Sequence, residues 1–290
     1  MQYLDPKNDV TFKKVFGEHP DLIKSLLNSL LPLREDQLIE SVEYLSLEML
    51  PNIPGKKNSI VDVHCVDKKG RNFIVEMQMH WTASFMTRML HNASRAYSGQ
   101  LNSGEPFNRI RPVYALCLIN EIYLPQDEDC VHTYTFNDGK PNGHKISGIE
   151  IVSVELPKFK PDNFSEKKMM VLWLRFLTEI KAGSRKIPEG LDQEKELRKA
   201  IEVLEESSYS EEELAKYYRF WDAVSVEVSI QDDAREEGKA EGREEGKAEG
   251  RAEGRAEEKK ETARKLLKLN TSIEVIQTVT GLSEVEINQL

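Results

Sequence analysis

Cysteine is scarce in this chain: Cys65, Cys117 and Cys130 are odd in number and carry no CxxC spacing. A disulfide framework and a zinc finger are both disfavoured on that count, and a reducing compartment is expected. Long apolar runs are missing too. No segment approaches the roughly 18 consecutive apolar residues that would cross a bilayer, and the opening MQYLDPKNDV has no apolar stretch behind a basic flank. The expectation is a soluble, cytoplasmic protein with no membrane partner. HExxH, GxSxG and GxxxxGKS do not occur, which removes the support for a zincin, an α/β-hydrolase or a P-loop NTPase. An overall positive charge is also lacking: 40 Lys and Arg face 50 Asp and Glu, a formal net charge of −10. This argues against nucleic-acid binding through the whole surface, because phosphates are met by Lys and Arg.

The 290 residues still suffice for a real hydrophobic core. The polar excess is concentrated in one segment. Between Asp232 and Lys265 there are ten Lys/Arg and twelve Asp/Glu, no aromatic residue and no aliphatic larger than Ala. This predicts three regions: a folded unit over 1–231, a charged Glu/Gly/Lys/Arg tail over 232–265, and a short helical segment over 266–290. The tail repeats a four-residue unit with Gly at 238, 242, 246, 250 and 254. Its Glu and Lys/Arg fall at i,i+3 and i,i+4 spacings that support a helix weakly, whereas each Gly costs nearly 1 kcal/mol relative to Ala. A marginal exposed helix follows, with homo-oligomerisation through the tail as its expected use. In the last segment Ser272, Gly281 and Ser283 mark a capped helix, a turn and a second capped helix. Helix packing or oligomerisation is favoured there over a DNA reader, because three Glu and no base follow Lys268.

Charge is divided within the folded unit as well. From Asn52 to Arg111 nine basic residues face four acids, a local +5, so the rest of the chain is −15. Residues 8–31 place Phe12, Val15 and Phe16, then Leu22, Leu26, Leu27 and Leu30, at helical spacing, with Gly17 and Pro20 between two short helices. Ile60 to Val66 and Phe73 to Val75 are strand formers around a polar turn, a β-hairpin. His80 to Leu101 returns to helical spacing, and VYALCLI at 113–119 has the continuous apolarity of a strand covered on both faces. Another strand is expected at 149–156 and helices at 167–180 and 193–206. The order predicts a mixed α/β domain, a small central sheet flanked by helices.

The turn decides which acids meet. With Asp67 opposite Arg71, the loop is Lys68-Lys69-Gly70, and its Gly supplies a left-handed conformation. Asp62 then faces Glu76, with Cβ atoms roughly 4.5–5.5 Å apart, and Gln78 projects from the same face. A four-residue loop would instead put Asp62 opposite Val75. Like charges facing each other call for solvent or for a cation; the bland alternative is a solvated sheet face. Mg²⁺ suits one or two carboxylates because it keeps waters and completes its shell with phosphate oxygens. On the following helix, Arg88 and Arg95 with Asn92 read as one polar stripe, roughly 10.5 Å between the arginines, able to meet successive phosphates or to be solvated. His64, on the same strand face as Asp62, reads either as a partner behind that carboxylate or, with preference, as a packed or surface histidine; His80 and His91 find no acid at helical spacing to complete a zinc site, and Cys65 reads as a small buried hydrophobe.

Asp62, then Glu76-Met77-Gln78 after a hairpin, resembles the D…(D/E)xK core of the PD-(D/E)XK nuclease superfamily, in a variant ending in Gln. With the opening DPKNDVTFKKVFG, the stripe from Arg88 through Tyr97 to Gln100 and the Glu/Gly tail, nearly the whole chain resembles the Rpn-type recombination-promoting nucleases, also called PD-(D/E)XK family transposases. The resemblance implies a restriction-endonuclease-like α/β fold and a metal-dependent DNA endonuclease of transposase or recombination type. It implies Asp62 and Glu76 as ligands of Mg²⁺, or Mn²⁺, and Gln78 in the place of the superfamily's lysine. Glutamine can orient and hydrogen-bond but carries no charge. Either the ion compensates or a lysine arrives from elsewhere, with Lys13 the candidate and Asp9 a further acid beside the metal. DNA would be met by Arg88, Asn92 and Arg95. The competing expectation is a nuclease-fold protein that has lost turnover and acts as a DNA-binding or assembly module.

Overall fold

The apolar runs of the middle of the chain meet in one six-stranded sheet in the computed structural model, which describes residues 2–49, 59–140, 143–161 and 168–290. Lys56, Lys57 and Lys167, which the sequence reading uses, lie outside these residues. The strands of the sheet are β1 (Val42–Tyr44), β4 (Val63–Asp67), β5 (Asn72–Gln78), β6 (Val113–Ile119), β7 (Val131–Asn137) and β8 (Lys145–Glu155). Their order is β1-β4-β5-β6-β8-β7. A separate pair joins β2 (Glu48–Met49) to β3 (Ser59–Ile60).

The centre of the sheet, β5-β6-β8, is parallel, and antiparallel strands continue it on both sides. All seven residues of β6 are buried, as the central strand of a sheet covered on both faces must be. One face packs on α1 (Asp9–Phe12), the π-helical turn Lys13–Gly17, α2 (Pro20–Leu30), α4 (Lys168–Glu179) and α5 (Lys195–Val203). Phe16 sits at the heart of that layer, its ring 5.4 Å from Trp173 and 6.4 Å from Phe176. The other face is covered by α3 (Phe85–Ser98), the crossover between β5 and β6, through Phe85, Met89, Ala93 and Ala96. This helix begins five residues later than its sequence pattern predicts, since 80–84 forms a loop. Strands β1 and β7 are additions that the sequence reading does not contain.

The chain divides into two compact units, Met1–Val224 and Ser225–Leu290. The long helix α6 covers Glu211–Lys268, and α7 (Ile273–Thr280) and α8 (Glu284–Asn288) follow. Adding a Cβ at any of the five repeat glycines would meet nothing within 4 Å, so these glycines fill no steric need within the chain. At the end of the second unit Ala263, Ile276 and Ile287 make a small core. Gly281 closes α7 at φ 69°, and Ser283 with Glu286 forms a capping box on α8. No described helix is long and apolar enough to cross a membrane.

Candidate active site

The candidate site grows from the hairpin β4-β5. Gly70 adopts φ 77° and its N–H donates to Asp67 O at 2.9 Å, while the Asp67 carboxylate takes the Arg71 guanidinium at 2.6 Å. The loop is therefore the three-residue one, and the ladder pairs Val63 with Val75 and His64 with Ile74. One step further, Asp62 lies in a bend just outside β4, level with Glu76. Its Oδ2 accepts the Met77 backbone N–H at 2.8 Å, which ties the carboxylate to the neighbouring strand. His64 belongs to the scaffold: its ring nitrogens lie 3.0 Å from Ser46 O and 3.2 Å from Asn72 Oδ1.

Glu76 is only 7% exposed and pairs with Cys117 in the register of β5 and β6. Its Oε1 is buried without a hydrogen-bond partner. Burial, reinforced by the negative charge of Asp62, raises the Glu76 carboxyl to about 8, against the pull of Arg88 and Lys13. Burial raises Asp62 too, although the Met77 N–H and the charge of Lys13 oppose it. With Glu76 buried and Asp62 half-buried beside it, the pair is relieved by a proton or a cation.

The start of the chain supplies an ammonium. Lys13 Nζ lies 2.6 Å from Asp9 Oδ1 and 3.8 Å from Asp62 Oδ1. Burial lowers Lys13, but Asp9, Asp62 and Glu76 outweigh it and raise its pKa. Lys13 opens the π-helical turn, and such irregular turns frequently accompany functional sites. Asp9 is part of this cluster through Lys13, and its side chain is 42% exposed.

Gln78 lies two residues after Glu76, on the same face of β5, and reaches α3. Its Nε2 donates to His80 O at 2.6 Å and its Oε1 accepts from Arg88 Nη2 at 2.7 Å. Arg88 is exposed and lies over the Phe85 ring at 5.1 Å, and Arg95 is half-buried. Asn92 corrects the expected stripe. It is 2% exposed, with Nδ2 buried and unpartnered, because it falls seven residues after Phe85 on the sheet-facing side of α3. The exposed polar face of α3 therefore excludes Asn92.

The sequence reading misses the residues that brace this flank. Glu121, beyond β6, accepts the Trp81 N–H at 2.6 Å and lies 2.8 Å from His80 Nδ1, fixing the segment after Gln78. No spacing signal links residues 41 apart. Among the described residues no group of three or more His, Cys, Asp or Glu is placed to hold a metal ion. The donor set is thus two carboxylates with one orphaned oxygen, which fits a hard divalent cation that keeps waters and takes phosphate oxygens.

A family model described as "PD-(D/E)XK nuclease family transposase" matches residues 6–225. The chain belongs to this family. Comparisons with curated proteins and with solved structures gave no match. The matched span includes the whole six-stranded sheet and every candidate site residue from Asp9 to Arg95. Membership agrees with the restriction-endonuclease-like α/β fold and supports a nuclease of the transposase type in general.

Proposed function

We propose that the protein is a divalent-metal-dependent DNA endonuclease acting in transposition or recombination, with Asp62 and Glu76 as the ligands of Mg²⁺ or Mn²⁺. The observation that carries this reading is the pairing of half-buried Asp62 with buried Glu76, whose Oε1 is unpartnered. When bound, such an ion neutralises phosphate charge and supplies a more acidic water. The chain's own residues hold the carboxylates at the hairpin end, tie Asp62 to the Met77 N–H and set Lys13 beside Asp62. Arg88 and Arg95, on the helix that covers the site's face of the sheet, are the proposed contacts to the DNA backbone. Supercoiled plasmid should be nicked in Mg²⁺ or Mn²⁺ and remain intact in EDTA. Plasmid that stays intact in both ions would favour the second reading, a non-catalytic DNA-binding module, for which the uncharged Gln78 speaks.

The DNA face has its own test. Arg88→Ala combined with Arg95→Ala should weaken duplex binding without unfolding the protein and lower the salt slope of binding by roughly one unit per lost contact. Fluorescence anisotropy over a salt series measures this. An unchanged slope would place the DNA on another surface.

A further inference from the structure

Phosphodiester hydrolysis gathers negative charge on the phosphate oxygens, and a fixed cation at that place is worth most in a site poor in water. Gln78 brings no charge, so the cation on its side of the acid pair must come from another element. We infer that Arg88 is that cation and that Gln78 is the residue that positions it. The inference rests on the nuclease reading above and assigns Arg88 a role beyond that of a backbone contact.

Two observations carry it. First, the Gln78 amide is held at both ends: Nε2 donates to His80 O at 2.6 Å, and Oε1 accepts from Arg88 Nη2 at 2.7 Å. Turning the amide over would set an NH₂ against a guanidinium and an oxygen against a carbonyl, so the network fixes which end faces Arg88. Second, the anchor of that amide is itself fixed. His80 Nδ1 lies 2.8 Å from Glu121 Oε1, and the next residue's N–H is held by the same carboxylate at 2.6 Å.

A lysine at position 78 would carry its ammonium one bond beyond the tip of the glutamine. Arg88 delivers an N–H to the same tip, from an exposed guanidinium with five donors. Lys13 serves the other carboxylate, and its ammonium is already neutralised by Asp9 at 2.6 Å. In the reaction a water oxygen bonds to phosphorus as the bond from phosphorus to the leaving sugar oxygen breaks. Solvent takes the water's proton and returns one to the leaving oxygen. The guanidinium keeps its protons throughout and hydrogen-bonds the non-bridging oxygens.

The test combines single-turnover plasmid cleavage with NMR of the metal-free protein. Arg88→Ala should lower the cleavage rate at saturating DNA by about 10²- to 10³-fold, and Gln78→Lys added to Arg88→Ala should restore at least tenfold. A glutamine with a merely structural task would not be replaced by a lysine. In ¹⁵N relaxation without metal, the Arg88 guanidinium should be ordered in the wild type and mobile in Gln78→Ala. The inference is overturned if Arg88→Ala changes only DNA affinity, if lysine at 78 restores nothing, or if Arg88 is equally mobile with and without Gln78. A wild type that cleaves under no divalent ion removes the nuclease reading and this inference together, whereas the other three failures in an active protein remove this inference alone.

Discussion

Glu76→Gln should abolish divalent-ion-dependent cleavage and yet leave the metal-free protein at pH 8 at least as stable as the wild type. Burial and the neighbouring Asp62 raise the Glu76 carboxyl from 4.5 to about 8. Between those values the folded protein keeps a proton that the unfolded chain releases. The native state therefore binds more protons, and stability falls as pH rises through this window, by on the order of a few kcal/mol if the whole shift is realised. Glutamine is isosteric, uncharged and titrates nowhere, so the variant should lose this slope. Asp62→Asn should act in the same sense, because Asp62 is also shifted upward and an amide oxygen can still accept the Met77 N–H. With Mg²⁺ the order reverses: the wild type gains thermal stability and both variants gain none. A structural acid would behave the other way, since its partners would be left unsatisfied at a loss of roughly 1–3 kcal/mol. Urea unfolding at pH 5 and pH 8, with plasmid cleavage alongside, separates the cases. Cleavage at wild-type rates in either variant, or a destabilised metal-free Glu76→Gln, would end the assignment of this pair.

The register that levels Asp62 with Glu76 was legible because it is local. Asp67-Lys68-Lys69-Gly70-Arg71 contains its own turn geometry, and Gly70 at φ 77° meets it. The central strand was legible because VYALCLI has no polar residue to mark an exposed face, as its complete burial requires. Strand β7 was not. Its residues are half-buried or exposed on both faces, so no apolar alternation announces it, and only pairing with β8 makes it a strand. Asn92 misled for a different reason. Periodicity places it on the apolar side of α3, but its chemistry reads as part of the polar stripe, and 3.6-residue geometry prevails over residue type. The brace from Glu121 to His80 and Trp81 joins distant segments and has no sequence signature. Most of what supports the flank at Gln78 therefore became visible only with the fold.

Glu155→Ala should destabilise the protein by about 3–5 kcal/mol, because it strips the partner from a cation whose side chain is only 9% exposed. The Glu155 side chain is fully buried at the end of β8, and its Oε1 accepts from Lys158 Nζ at 2.7 Å and lies 2.9 Å from His132 Nε2. Its Oε2 accepts the backbone N–H groups of Tyr123 and Leu124 at 2.8 and 3.2 Å. Burial alone would raise this carboxyl, but the Lys158 bond, the two N–H donors and His132 outweigh it and hold the carboxyl below 4.5. The sign is thus opposite to that of Glu76: this stability is present above 4.5 and is lost as pH falls through the depressed folded value. Acid unfolding of the wild type should contain that loss, and Glu155→Ala should lack it. Glu155→Gln keeps an acceptor for the two N–H groups but leaves Lys158 with only carbonyl oxygens, Leu124 O at 2.7 Å among them, so its cost should fall between wild type and Ala. The segment that Glu155 secures follows directly on Glu121, the residue that fixes His80 and Trp81 beside Gln78. Cleavage should consequently weaken in the same order, wild type above Gln above Ala. Equilibrium urea unfolding at pH 7 decides the matter: a loss below 1 kcal/mol for Glu155→Ala would mean that water, and not Glu155, satisfies Lys158 and the two N–H groups.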